Sequence, residues 1–362
     1  MSLLLSFLIA FGGCLILVPI TIKLAKKFGL VDDPKKHSHP AILHKKTVAR
    51  AGGVPMFIAF AVAALVFTGF SKELVGILLG GAILVVTGVL DDKLDLKTHY
   101  KFAAQILAAL VVVAFGVGIS FITNPFNIVG GLGLGDVIRL DTLRVTLNIL
   151  GTHSIYILAD IFALFWIIWV INMVNFSAGV DGQMPGIVLV VLLILFAASL
   201  RYSSFDQSQL LVSRLASIGV GVTLGFLVFN FYPAKIFPGD SGSYFLGFLV
   251  AVIAIFSVAK VGTAILVMAV PLIDGVFTIL RRMASGKSPF LGDRGHLHHR
   301  LLEIGLSQRQ VALFYWILCA ILGATALVLP SEGKLFAGLV IGIIVLGGLL
   351  WLNMNLQIKD RG

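Results

Sequence analysis

Two adjacent carboxylates, Asp91 and Asp92, follow the apolar run 80–90 without a linker. Side-by-side carboxylates repel each other and are costly to remove from water, so a membrane helix gains no stability from them. A divalent cation relieves that repulsion, and Mg²⁺ in proteins is commonly held together with substrate phosphates. The pair therefore predicts metal-assisted phosphate chemistry at the end of a membrane helix.

The composition places this pair in a polytopic membrane protein. Hydrophobic residues make up 59% of the 362, charged residues only 12%, and the mean hydropathy is +1.05, which excludes a soluble domain. Runs close to the ~20 apolar residues that a helix needs to cross the hydrocarbon predict an all-α helical bundle, one integral membrane domain over 1–362. The first run lacks the cleavage site of a secretory signal, and we expect it to remain. The eleven predicted spans are 2–22, 51–70, 73–90, 102–120, 157–174, 185–200, 210–229, 243–259, 261–280, 311–329 and 335–355.

Lysines and arginines set the expected orientation. Twenty of the 27 lie in the C-terminal tail or in loops after spans one, three, five, seven and nine, and cytoplasmic loops carry such an excess. We therefore expect the N-terminus outside and the C-terminus in the cytoplasm. The net charge of +10 then lies mostly on the cytoplasmic side, where it faces anionic lipid, and no nucleic-acid partner is expected. Cys14 and Cys319 lie in predicted spans, so no disulfide is expected.

The long loop on the opposite face, 121–156, has a pattern of its own. Segments 137–140 and 143–149 flank Asp141-Thr142 and predict a short extracytoplasmic β-hairpin. The loop has few residue types suited to catalysis, and we assign it no chemistry.

The predicted topology gathers reactive side chains on the cytoplasmic face. Seven of the eight histidines fall there, a distribution that packing alone would not produce. The loops that bring carboxylates, amides, basic residues and histidines together are 23–50, 91–101, 172–182, 237–242 and 292–300.

The fourth of these loops contains Gly239 and Gly242 on either side of Asp240. A helix start with Asp240 or Ser241 as N-cap explains part of the pattern. The glycines favour instead a turn that approaches phosphate at a helix N-terminus, with Asp240 free to bind a metal. Phe237 is either an interface anchor or a ring that stacks on a nucleobase.

The third loop follows two asparagines on one helical face, Asn172 and Asn175. They either satisfy backbone groups where the fifth span ends or offer amide oxygens to Mg²⁺. Asp181-Gly182 at the end of this loop is by itself a weak signal, consistent with a turn.

The last loop contains His296, His298 and His299, flanked by Arg294 and Arg300. A zinc site is the less favoured interpretation, since no cysteine accompanies the histidines and hard oxygen ligands lie on the same face. We expect the imidazoles and arginines to donate hydrogen bonds to phosphate oxygens. Asp274, seven residues before Arg281 on one helical face, is interpreted as a structural ion pair.

These groups together indicate phosphoryl transfer at the bilayer surface between a soluble and a lipid-borne substrate. Repulsion between two anions is the barrier, and a metal with fixed cations screens it. No Gly-x-x-x-x-Gly-Lys loop or kinase motif is present, so ATP hydrolysis is not expected.

Five ordered motifs over roughly 1–330 resemble the polyprenyl-phosphate N-acetylhexosamine-1-phosphate transferases. They are Asp33-Pro-Lys-Lys-His37 with Arg50-Ala-Gly-Gly53, Asp91-Asp92 with Lys101 and Gln105, Asn172-x-x-Asn175 leading to Gly179-Val-Asp-Gly182, Phe237-Pro-Gly-Asp-Ser-Gly-Ser243, and Gly292-Asp-Arg-Gly-His-Leu-His-His-Arg-Leu301. The resemblance implies transfer of a sugar phosphate from a UDP-N-acetylhexosamine to undecaprenyl phosphate, releasing UMP. It also implies Mg²⁺ (or Mn²⁺) as cofactor, a bacterial plasma-membrane enzyme and the option of a homodimer.

The resemblance assigns roles by motif. Asp91 or Asp92 would deprotonate or orient the lipid phosphate, and Asn175 and Asp240 would bind Mg²⁺. The last loop resembles the GlcNAc-1-phosphate branch, which serves lipopolysaccharide or teichoic acid synthesis. The expected nucleotide and substrate contacts are Lys45, Asn172, Asp181 and Phe237. The expected phosphate contacts are Lys101, Arg294, Arg300 and the three histidines His296, His298 and His299, which are counted with Asp91 and Asp92 as catalytic residues.

One departure and several alternatives stay open. Ala178 stands where bacterial members usually have aspartate, which puts nucleotide contacts and sugar preference in doubt. The phospho-MurNAc-pentapeptide branch is one alternative, although its three consecutive histidines are absent here. A membrane transporter and a catalytically silent relative acting as a scaffold are the others.

Overall fold

A computed structural model shows a predominantly helical protein. It describes residues 2–34, 46–124, 137–148, 152–204, 206, 208–257, 260–286 and 295–359. The helices in this part of the chain are α1 (Leu3–Lys27), α2 (Gly53–Thr68), α3 (Lys72–Leu94), α4 (Thr98–Ala114), α5 (Ile157–Phe176), α6 (Gln183–Tyr202), α7 (Ser208–Asn230), α8 (Gly239–Phe256), α9 (Lys260–Val267), α10 (Ala269–Ala284), α11 (Leu297–Glu303), α12 (Gln308–Val328) and α13 (Ser331–Lys359).

Helices occupy all eleven predicted spans, but the count of eleven spans is not confirmed. Among the described residues, eight helices are long and apolar enough to cross a membrane, or nine if a bent pair counts as one. The 16 residues of α2 and 17 of α4 are shorter than the ~20 that a crossing requires. The expected orientation stays a prediction.

The predicted ninth span is broken into α9 and α10, which meet at 78°. Pro271 lies in the first turn of α10. Proline lacks an N–H donor, and its ring clashes with the carbonyl four residues earlier, here that of Val267, the last residue of α9. After the bend, the buried Asp274 of α10 contacts the start of α11.

The buried centre of the bundle is α8, which packs against α3 and α5. Small residues allow close approach on both sides. A Cβ at Gly88 of α3 would overlap the backbone of Ser241, and one at Gly247 of α8 would lie 2.7 Å from the Cα of Ile171 in α5. The helix ends that carry the polar residues are therefore held at short, fixed distances.

Short strands join the polar ends of the helices. β1 (Val31–Asp32) pairs antiparallel with β2 (Val48–Arg50), and β2 pairs parallel with β7 (Ile236–Phe237). This ladder places Arg50 opposite Phe237, although more than 180 residues separate them in sequence.

The predicted hairpin at 137–149 is wrong in its pairing. β4 (Val137–Arg139) pairs with β3 (Phe121–Thr123), and β5 (Arg144–Asn148) pairs with β6 (Thr152–Tyr156). Both predicted segments are strands, but each pairs with a partner outside the predicted hairpin. An alternating pattern identifies a strand and does not choose its neighbour.

Candidate active site

The ends of at least six helices and the β1–β2–β7 sheet surround a cavity of about 550 Å³. Seven of the residues given a catalytic, substrate-binding or metal-binding role from the sequence line it together: Asp91, Asp92, Lys101, Asn175, Asp181, Phe237 and Asp240. Segments that are remote in sequence thus converge on one site.

Asp91, Lys101 and Asp240 form the charged centre of the cavity. The Lys101 Nζ lies 2.7 Å from Asp91 Oδ2 and 3.5 Å from Asp240 Oδ2. The backbone N–H of Leu96 donates to Asp91 Oδ1 at 2.8 Å, and the Tyr244 hydroxyl donates to Asp240 Oδ2 at 3.1 Å. One lysine thus bridges two carboxylates from different helices, and each carboxylate is oriented by a further donor.

Asp92 differs from its neighbour because it caps α8 from outside that helix. Its Oδ1 accepts the backbone N–H of Asp240 at 3.0 Å, and its Oδ2 accepts the Ser241 hydroxyl at 3.2 Å. Its side chain has no exposed surface. Gly239 has a φ of +63°, and a Cβ there would overlap this carboxylate, so the turn requires glycine. Asp92 therefore positions Asp240.

Arg50 of β2 forms an ion pair with Asp92, with its Nε 3.2 Å from Asp92 Oδ1. Burial lowers the pKa of the Arg50 guanidinium, but the carboxylates of Asp92 and Asp240 raise it, and the net result is a raised pKa. The guanidinium stays charged and gives the cavity a fixed cation beside Lys101.

We predict that Asp92→Asn lowers the Tm of the purified protein. The amide carries no charge, so Arg50 loses its ion pair and the charge-assisted hydrogen bonds to the start of α8 become neutral ones, a cost of about 1–2 kcal/mol. Asp95→Asn is the matched control, because Asp95 is exposed and has a left-handed backbone that asparagine adopts readily. Equal melting of Asp92→Asn and wild type in detergent would rule out the capping role.

The loop between α5 and α6 forms another wall of the cavity. Asn175 Oδ1 accepts the Ser243 hydroxyl at 2.8 Å, which ties α5 to α8. Asp181 Oδ2 accepts the backbone N–H of Ala234 at 2.9 Å. Asn172 is not among the cavity residues; its Nδ2 donates to Gln105 Oε1 at 2.7 Å, which links α5 to α4.

The histidines lie behind this wall and outside the set that lines the cavity. The rings of His296 and His298 stack with centroids 5.3 Å apart, and those of His298 and His299 are 4.3 Å apart. A Cβ at Gly179 would overlap the His298 ring. Burial first, then His299 and His296, lowers the pKa of His298 well below its usual value, so the ring is neutral at pH 7.

Three other basic residues are expected to contact the substrate: Arg300, Lys45 and Arg294. Arg300 is outside the cavity lining, and its Nη1 donates to Glu303 Oε2 at 3.1 Å. Lys45 and Arg294 lie outside the described residues. Asp274 is hydrogen-bonded to His296, at 3.1 Å between Oδ2 and Nδ1, and is not paired with Arg281 as expected.

Several polar residues of the site had no role assigned from sequence. Gln105, Ser243 and Tyr244 hold Asn172, Asn175 and Asp240 in the contacts given above. Asn230 accepts the N–H of Gly182 and donates to the carbonyl of Ile236, which ties two cavity loops together. Serine at i+3 and tyrosine at i+4 from Asp240 share its helical face, a spacing that signals such support.

The donor set fits Mg²⁺ or Mn²⁺. Carboxylate and amide oxygens of Asp240, Asp91 and Asn175 border the cavity, and hard oxygen ligands suit these ions. Within the described ranges no group of three or more histidine, cysteine or acidic side chains is arranged to hold a metal by itself. One or two carboxylates completed by substrate phosphates and water are the usual Mg²⁺ arrangement.

Known proteins resemble this chain over most of its length. The model of glycosyl transferase family 4 matches residues 74–258. A probable undecaprenyl-phosphate N-acetylglucosaminyl 1-phosphate transferase of Bacillus subtilis (strain 168) is 30% identical over 94% of this chain and 88% of its own. A decaprenyl-phosphate N-acetylglucosaminephosphotransferase of Mycolicibacterium smegmatis is 30% identical over 89% of this chain and 80% of its own. A phospho-N-acetylmuramoyl-pentapeptide-transferase of Carboxydothermus hydrogenoformans is 27% identical over 89% of this chain and 95% of its own.

Proposed function

The chain belongs to glycosyl transferase family 4, and from that membership we propose that it transfers N-acetylhexosamine 1-phosphate, GlcNAc 1-phosphate by preference, from a UDP-sugar to undecaprenyl phosphate. The products are UMP and a polyprenyl-diphosphate-linked sugar. Relatives named for GlcNAc-phosphate transfer support the sugar, and the B. subtilis relative supports the lipid.

The observation that carries the proposal is the convergence of two carboxylates and two cations on one cavity. Asp91 and Asp240 face Lys101, and Arg50 stands beside them. The fixed cations offset the charge of two approaching phosphates, and the carboxylates are suited to hold a metal ion that adds to this effect. Repulsion between the phosphates, which is the barrier to phosphoryl transfer, is thereby lowered. A cavity of about 550 Å³ is also within the usual range for nucleotide-sized ligands.

The reaction exchanges one diphosphate bond for another. An oxygen of the lipid phosphate attacks the β-phosphorus of the UDP-sugar, the bond to the bridging oxygen breaks, and UMP leaves with that electron pair. Asp91 is favoured to take a proton from the lipid phosphate or to orient it, because it contacts Lys101 in the charged centre of the cavity, whereas the Asp92 side chain has no exposed surface and is bonded to the start of α8. Lys101 and Arg50 offset the charge of the phosphates.

The other proposed roles follow the position of each residue. Mg²⁺ held by Asp240 and Asn175 would neutralise the diphosphate and polarise its phosphoryl oxygens. Asp181 and Phe237 line the cavity, and we expect them to contact the nucleotide. The excess of basic residues in the predicted inner loops supports an active site on the cytoplasmic face of a bacterial plasma membrane. A homodimer stays a prediction.

The proposal is tested with purified protein in lipid nanodiscs, UDP-GlcNAc, undecaprenyl phosphate and Mg²⁺. We expect stoichiometric UMP and lipid-linked GlcNAc 1-phosphate, and loss of both after metal chelation. UDP-GalNAc and UDP-MurNAc-pentapeptide form the comparison panel. Absence of UMP with every UDP-sugar would overturn the proposal.

A specific alternative within the family is transfer of phospho-MurNAc-pentapeptide. The Carboxydothermus relative carries that name and covers 89% of this chain. Preference for UDP-MurNAc-pentapeptide in the panel would favour it. A transporter gains no support from family membership.

A further inference from the structure

Asp274 is a buried carboxylate to which neither the sequence motifs nor the proposed reaction gives a catalytic role. It lies on α10 just after the bend and is 4% exposed. A buried carboxylate is costly unless its oxygens accept hydrogen bonds. Each oxygen of Asp274 has a donor, and both donors belong to residues 296–299, the histidine segment.

The two contacts of Asp274 fix the start of α11. The backbone N–H of Leu297 donates to Oδ1 at 2.8 Å, and His296 Nδ1 lies 3.1 Å from Oδ2. A carboxylate only accepts hydrogen bonds, so His296 must carry its proton on Nδ1. Thr278 Oγ1, one turn further along α10, is 3.3 Å from the same nitrogen. The contacts therefore define both the tautomer and the ring plane of His296.

His296 passes this constraint to the cavity wall by ring contacts. Its ring stacks on His298 with an interplanar angle of 8° and also lies 6.1 Å from the ring of Phe176, which follows Asn175. The His298 ring in turn packs against Gly179, which lines the cavity. A continuous series of contacts thus runs from Asp274 to the α5–α6 loop.

We propose that Asp274 is a positioning residue: it fixes His296 as the Nδ1–H form and, through the stacked His296 and His298 rings, holds the Gly179 segment of the cavity wall. This inference deepens the proposed transferase function and rests on it. Asp274 itself is not among the residues that line the cavity. A carboxylate that fixes a histidine ring and tautomer in this way is a recurrent device in enzyme sites.

The first test is a double-mutant cycle on UMP release. Asp274→Asn keeps the shape but lets the amide donate or accept, so the tautomer is no longer fixed. We expect a loss of about 10–100-fold in kcat/KM for the UDP-sugar, as for other supporting partners. In the His296→Ala background the same change should cost less than about threefold, because its target is gone. Equal losses in both backgrounds would overturn the proposal.

The control is Asp160→Asn, the same chemical change in the first turn of α5, at the end of that helix opposite Asn175. Asp160 accepts the backbone N–H of Tyr156 at 3.1 Å and lies outside the cavity lining. We expect its kcat/KM to match that of wild type. A loss as large as that of Asp274→Asn would mean that the activity responds to helix capping in general, which would also overturn the proposal.

A second readout does not depend on activity. The measurement is the nitrogen NMR spectrum of the protein labelled with ¹⁵N-histidine in nanodiscs. The signal that disappears in His296→Ala belongs to the His296 nitrogens. We expect the wild type to carry the proton on Nδ1, and Asp274→Asn to shift population toward the Nε2–H form. An unchanged tautomer would contradict the inference even if the protein proves to have another activity. A wild type without UMP release would contradict only the proposed function.

Discussion

Asp240→Asn is expected to reduce UMP release by about 10³-fold, the loss typical of removing one fixed electrostatic group from a transition state. Asp240 combines a cavity-facing carboxylate with contacts to Lys101 and Tyr244. The amide has a similar shape but no charge, so it binds Mg²⁺ and offsets Lys101 less well. We therefore also expect half-maximal activity to need more Mg²⁺, measured as UMP release against metal concentration.

Asp95→Asn serves again as the control for this prediction. Asp95 also lines the cavity, but its side chain is exposed and makes no hydrogen bond or salt bridge within the described part of the chain. We expect its rate to stay within about threefold of wild type, because its carboxylate has no contact with Lys101 or Asp240 in the charged centre of the cavity. Equal rates for Asp240→Asn and wild type at limiting Mg²⁺ would remove Asp240 from the proposed metal site.

Gly88→Ala is expected to cost at least about 100-fold in UMP release without touching any ionisable group. A Cβ at Gly88 would overlap the backbone of Ser241, and backbone cannot rotate away as a side chain can. Overpacking of this kind costs about 1–3 kcal/mol and forces helices apart. Here α3 must move away from the start of α8, which separates Asp91 and Asp92 from Asp240.

Gly12→Ala is the matched change in another helix. A Cβ there would have no neighbour within 4 Å, so we expect wild-type activity and a Tm at least as high, since alanine favours helix over glycine. The measurement is UMP release together with thermal melting in detergent. If Gly88→Ala behaved like Gly12→Ala, the close contact between α3 and α8 would not control the geometry of the site.

The sequence predicted which segments meet but not what each residue does there. Asp91, Asn175 and Asp240 were expected at one pocket and all line the same cavity. Adjacent residues on a helix point about 100° apart. Tertiary packing alone therefore decides that Asp91 faces Lys101 while Asp92 caps α8. No local pattern contains that information.

The histidine segment shows the same limit. The expected contact of the motif with phosphate stays a prediction, but its packing was not foreseen: His298 packs against Gly179, and His296 pairs with Asp274. Asp274 was interpreted with Arg281 because helix spacing considers only partners on the same helix. The bend of 78° between α9 and α10 comes just before Asp274, and the spacing of residues within α10 does not predict that α11 packs there.

The ladder between β2 and β7 has a consequence for inhibitor design. Arg50 and Phe237 occupy paired positions on neighbouring parallel strands, whose backbones lie about 4.8 Å apart. The distance between the backbones of Arg50 and Phe237 is thus set by main-chain hydrogen bonds rather than by adaptable side-chain packing. A rigid compound that carries an anion and a flat ring at matching spacing would meet a preorganised pair, and resistance through either residue alone would leave the other anchor in place.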